Sequence, residues 1–178
     1  MLNLIPAEHW EYGIADLLRG IYAASGKKRH QRISLPGLGN CFTVGSGRAG
    51  LVLALRALNL KPGTRIGVPL YCCPVVLKAI ELANCRPNFI DIESDTFCIS
   101  AQDLAKKINH IDVVIAVHMF GNMCDMPALK IIAGSKPIIE DCAQALGSRS
   151  VDGIAGSFGD ISFFSFRDRK STRLNSSH

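Results

Sequence analysis

No apolar run in this sequence approaches the roughly 18 residues needed to cross a bilayer. Nor do the first residues show the basic-then-apolar layout of a secretory leader, so a cytoplasmic protein is expected. The seven cysteines (41, 72, 73, 85, 98, 124 and 142) contain no C-x-x-C pair and no zinc spacing. A structural zinc site is therefore not expected, and reduced, buried thiols are. Charge of one sign is in small excess, +5 overall. Without the last eleven residues, 17 basic side chains face 14 acidic ones and the excess falls to +3, too little to suggest nucleic acid. Those eleven, Asp168–His178, match the in-frame translation of a sequencing-adapter oligonucleotide and show no apolar period. They read as a non-native, disordered tail outside the fold.

What remains is ordinary for one domain with a sizeable core, at 48% hydrophobic and 20% charged residues. Residues 1–40 read as an N-terminal helix over Glu8–Ser25, a basic loop over 26–32 and a linker over 34–39 with turn chemistry. A short strand is expected at 41–44, then a glycine turn, GSGRAG (45–50), opening a helix to about Leu58. Strands follow at 65–68, 86–92, 112–118 and 137–140. Helices between them start at Pro74, after the capping-box serine Ser100, and at Asp125. The run DVVIAVH (112–118) is almost continuously apolar, as in a strand buried on both faces. Strand alternating with helix predicts an α/β domain, a mainly parallel sheet flanked by helices.

Two stretches carry chemistry. The run IIEDCAQALG (138–147) ends a buried strand in Glu140 and Asp141, with Gln144 three positions on. Open α/β sheets bind ligands at the carboxyl ends of their strands, and a desolvated acid there calls for a cation. A protonated pyridine nitrogen is one such cation. At the glycine turn, backbone N–H groups and the helix dipole favour an anion. The same residues satisfy G-x-G-x-x-G, but a dinucleotide site needs an acid at the end of the next strand, and 65–73 has none.

Taken in order, EDCAQALG (140–147), GSFGD (156–160), FSF (164–166), the glycine turn and VHMFG (117–121) resemble the DegT-type sugar aminotransferases, from about Thr43 to Phe166. These are fold-type I enzymes dependent on pyridoxal 5′-phosphate (PLP). The resemblance implies that Gly47, Arg48, Ala49 and Ser165 hold the coenzyme phosphate. Asp141 would face the ring nitrogen, Gln144 would bond on the ring side, and Cys73 would lie against the ring in place of the usual aromatic residue. His118 would line the rim. The lysine that binds the coenzyme covalently falls at the offset of Lys170, inside the suspected tail. The resemblance implies transfer of an amino group from an amino-acid donor to a keto sugar, usually nucleotide-linked, by a cytoplasmic homodimer without nucleic-acid or membrane partners. Residues 41–167 would form an incomplete PLP-binding large domain, with a C-terminal small domain missing and the isolated chain inactive. Three alternatives stay open: a PLP-dependent sugar dehydratase with histidine at the lysine position, a Rossmann-type NAD-dependent oxidoreductase, and a truncated domain that binds nothing.

Overall fold

The structure is a computed structural model and describes residues 32–34, 37–38 and 40–165. The expected helix Glu8–Ser25, most of the basic loop and the tail from Asp168 lie outside the described residues. The chain divides into two compact units, Met1–Thr43 and Val44–His178. In the first, β1 (Arg32–Ser34) pairs antiparallel with β2 (Asn40–Phe42), Ile33 opposite Cys41. Within the stretch expected as a linker, Gly37 and Leu38 lie between these two strands, with Gly37 at φ +81°, a backbone state that L side chains avoid.

The second unit holds five parallel strands: β3 (Arg65–Pro69), β4 (Arg86–Ile90), β5 (Val113–Val117), β6 (Ile138–Asp141) and, after the two-residue strands β7 (Arg149–Ser150) and β8 (Gly153–Ile154), β9 (Ile161–Phe163). They lie side by side in the order β4-β3-β5-β6-β9. Four helices accompany them: α1 (Gly47–Ala57), α2 (Pro74–Leu82), α3 (Ala101–Lys107) and α4 (Met126–Ala133). Each begins where the sequence supplies a cap or a preset φ. The side chains of Ser46, Ser100 and Asp125 accept the N–H of Ala49, Asp103 and Ala128, and Pro74 opens α2.

Period-two alternation sorts the strand side chains onto two faces. Ile66, Val68, Val113, Ile115, Val117 and Ile139 meet Leu51 and Leu55 of α1 and Val76 and Ile80 of α2. On the other face Ile90, Val114, Ala116 and Ile138 meet Leu104 of α3 and Met126 and Leu129 of α4. Every residue of β5 is buried, which explains its unbroken apolar run. No helix among the described residues is long and apolar enough to cross a membrane.

One ion pair ties the amino ends of β3 and β5. Arg65 donates to both carboxylate oxygens of Asp112, at 3.0 and 2.8 Å, and its backbone N–H adds a third bond at 2.9 Å. These bonds hold the Asp112 pKa down at about 2. A carboxyl depressed on folding adds stability above its unfolded pKa, near 4, and loses it as the pH falls towards 2. Asp112→Asn is therefore expected to lower the urea midpoint at pH 7. Both side chains are about 40% exposed, so the shift should be small, of the order of a few tenths molar. The gap between variant and wild type should close as the pH is taken to 2; a gap that persists would refute this account.

Candidate active site

The strand order reverses direction between β3 and β5. From β3 the chain moves outward to β4, and from β5 it moves the other way to β6 and β9. Such a switch point opens a crevice at the carboxyl ends of the strands, where open α/β sheets bind ligands. The segments that leave the sheet there are 70–73 after β3, 118–121 after β5 and 142–145 after β6.

Asp141 is the last residue of β6 and shares its face with Ile139, towards α1 and α2. It is 6% exposed, and its Oδ1 accepts the N–H of Ala143 at 2.9 Å. Its charge reaches Cys72, whose thiol is pushed up to about 11, by burial first and then by Asp141 and Cys73. Cys72 is thus a neutral thiol beside the acid at neutral pH. Cys73 is exposed at the N-cap of α2 and makes no side-chain cap bond. Gln144 turns its Oε1 to the N–H of Phe120, at 3.1 Å, which joins the segment after β6 to the one after β5.

At the start of α1, the Ser46 hydroxyl accepts the Ala49 N–H at 3.1 Å. A Cβ placed on Gly47 would sit 3.9 Å from the Cβ of Ser165, so the glycine turn and the end of the β9 segment abut. Arg48 is exposed on the same turn. Helix N–H groups, the serine hydroxyls and a guanidinium form a donor set suited to a phosphate. The turn is not the dinucleotide kind, because the strand before it, β2, pairs with β1 and does not belong to the five-stranded sheet. Lys170 lies outside the described residues.

Glu140 takes the opposite face of β6. It is fully buried, as is His118 after β5. The Cys124 N–H donates to His118 Nδ1 at 3.0 Å, so the ring proton sits on Nε2 and is donated to Glu140 Oε2 at 2.9 Å. His118 therefore faces the interior rather than an open rim. His118, Glu140 and Cys142 bring one donor atom each within 4.8 Å of one another. Both imidazole nitrogens and both carboxylate oxygens are already hydrogen-bonded, so the group is a bonded cluster and not a preformed cation cage.

Sequence reasoning missed three aromatic residues. Tyr71, Phe97 and Phe120 are 49, 39 and 46% exposed, yet their rings touch, with centroids 5.5 to 6.3 Å apart. Phe97 and Phe120 hold left-handed backbones, φ +58° and +56°, at a cost of about 1 kcal/mol or more each. Tyr71 and Phe120 follow β3 and β5 at the switch point, and Phe120 is also the aromatic residue of VHMFG (117–121).

The structure thus shows a buried carboxylate at the end of β6, and the start of α1 abutting Ser165. A family model described as the DegT/DnrJ/EryC1/StrS aminotransferase family matches residues 34–172. The chain is 37% identical over 131 residues to a GDP-perosamine synthase of Escherichia coli O157:H7, covering 72% of this chain and 36% of that protein. It is 33% identical over 135 residues to a UDP-N-acetyl-3-dehydro-alpha-D-glucosamine 3-aminotransferase of Acidithiobacillus ferrooxidans, covering 74% and 37%. Among solved structures, Spr1654 of Streptococcus pneumoniae in its PLP form superposes with a TM-score of 0.72 at 25% identity, over 90% of this chain and 48% of that one. The chain therefore spans little more than a third of the length of these curated relatives.

Proposed function

The chain belongs to the DegT/DnrJ/EryC1/StrS aminotransferase family, and on that premise we propose that it is the coenzyme-binding part of a PLP-dependent aminotransferase acting on a nucleotide-linked keto sugar. The observation that carries this reading is Asp141, a buried carboxylate at the carboxyl end of β6 beside the switch point. The relatives named for GDP- and UDP-sugar amino transfer support the substrate class.

PLP, when bound, supplies an electron sink for the carbanion formed at the amino donor. The chain's residues do the rest. The first turn of α1, with Gly47, Arg48 and Ala49, and the Ser165 hydroxyl would bind the phosphate. Asp141, desolvated, would hold a proton on the ring nitrogen by opposite charge. Gln144 orients the ring side while its Oε1 fixes the backbone at Phe120. Cys73, small and exposed at the start of α2, would lie against the ring in place of a larger side chain. A lysine at the position of Lys170 would bind the coenzyme covalently and move the proton between donor carbon and coenzyme. The working enzyme is a cytoplasmic homodimer whose partners are two small molecules, the amino-acid donor and the sugar.

The intact protein should be loaded with PLP and given glutamate with a GDP- or UDP-linked keto sugar, and its products weighed by mass spectrometry. An amino sugar formed in step with 2-oxoglutarate is the expected result. A dehydrated sugar would replace amino transfer by dehydration, and oxidation dependent on nicotinamide would overturn the assignment.

A further inference from the structure

Glu140 and Asp141 are consecutive on β6 and so point to opposite faces of the sheet. Asp141 is accounted for by the ring of the coenzyme; Glu140 is not. Its carboxylate is fully buried and accepts four hydrogen bonds. One comes from His118 Nε2 at 2.9 Å, and three come from the backbone N–H groups of Gly156 (2.8 Å), Phe158 (2.7 Å) and Gly159. Burial is the largest influence on its pKa and raises it, but the His118 bond and the Gly159 and Gly156 N–H groups together outweigh burial and hold it below the usual range. A buried charge with this many donors is a fastening point.

What it fastens is the turn that leads into β9. The next residue, Asp160, makes two bonds with Ile138: its N–H donates to the Ile138 carbonyl at 2.9 Å, and its Oδ2 accepts the Ile138 N–H at 2.8 Å. β9 then runs in fixed register against β6, Ser162 opposite Glu140 and Phe163 opposite Asp141. Beyond β9 the chain reaches Ser165, against Gly47. The 156–159 turn is thus the point from which the chain enters the strand that leads to Ser165.

The geometry points to Glu140 as a positioning residue for the phosphate end of the site. It fixes the 156–159 turn, and through β9 the Ser165 segment, against the first turn of α1. This rests on the reading of α1 and Ser165 as a phosphate cradle. The two neighbouring carboxylates then serve opposite ends of one ligand, Asp141 directly and Glu140 through the backbone.

The test compares PLP with pyridoxal, the same ring without the phosphate. Dissociation constants for both are measured on wild type, Glu140→Gln and Gly159→Ala, together with amide hydrogen exchange by mass spectrometry over 156–165. Gly159→Ala keeps the Glu140 residue, but its Cβ would lie 2.8 Å from the Ile138 carbonyl oxygen and 3.1 and 3.3 Å from Glu140 Cγ and Oε1, so the turn must move away from the carboxylate. It keeps the test open should Glu140→Gln fail to fold. In both variants PLP affinity should fall by roughly tenfold or more while pyridoxal affinity changes less than about twofold. Exchange should quicken over 156–165 and stay slow in Val113–Val117. Equal losses for both ligands would mean a merely structural role and overturn the proposal. So would unchanged exchange over 156–165, or faster exchange there with the phosphate preference intact. A wild type that binds neither ligand overturns the coenzyme reading itself, a result distinct from any of these.

Discussion

Asp141→Asn, made in the intact enzyme, is expected to fold and to bind PLP but to lose roughly thirtyfold to several hundredfold of its amino-transfer rate. Asparagine keeps the side-chain oxygen that accepts the Ala143 N–H, so the turn after β6 should survive. What disappears is a negative charge in a site 6% exposed to solvent. With that little water nearby, opposite-charge stabilisation of a ring N–H is worth about 2–4 kcal/mol, each 1.4 kcal/mol being a factor of ten in rate. The loss should fall on kcat, because the charge matters most when the ring takes up electrons. Steady-state kinetics with a fixed sugar acceptor measure it. A variant turning over near the wild-type rate would show that Asp141 does not face the ring nitrogen.

Ile115→Ala is expected to be the most damaging single truncation of the core, at about 3–4 kcal/mol. Ile115 lies mid-strand in the central strand β5, fully buried, with neighbours on the α1/α2 face from β3 and β6. With both faces of the sheet covered, the backbone around it has little freedom to collapse into the cavity. The total stability of such a domain is about 5–15 kcal/mol, so this one change would remove a large part of it. Urea denaturation should show a much lower midpoint at unchanged slope. Val151→Ala, at a fully exposed position, is the control and should leave the midpoint where it is. Comparable midpoints for the two variants would place the core elsewhere.

Much of this arrangement was legible before any coordinates. The alternation of apolar runs and capped helices marked β3 to β6 and α1 to α4 within a few residues of their observed ends, because propensity and capping act over a few neighbouring residues. That paired strands flank the turn-rich stretch 34–39 was not legible, because β1 is only three residues long and its pairing with β2 depends on a partner rather than on a periodic pattern. The two-residue strands β7 and β8 are invisible in the sequence for the same reason.

The identities of Asp141, Gln144, Gly47 and Ser165 came from the sequence, since motif and spacing are one-dimensional facts. Their meeting did not. That Gly47 abuts Ser165, and that Gln144 bonds Phe120, follows from the strand order β4-β3-β5-β6-β9, which long-range packing selects and no local window encodes. The roles of Glu140 and His118 were likewise decided only in three dimensions. In the sequence, Glu140 and Asp141 are two adjacent acids with equal claims on a ligand. The pleat of β6 turns one to the α1/α2 face and the other to the bonded interior, so the face of the strand, not the residue type, separates their surroundings.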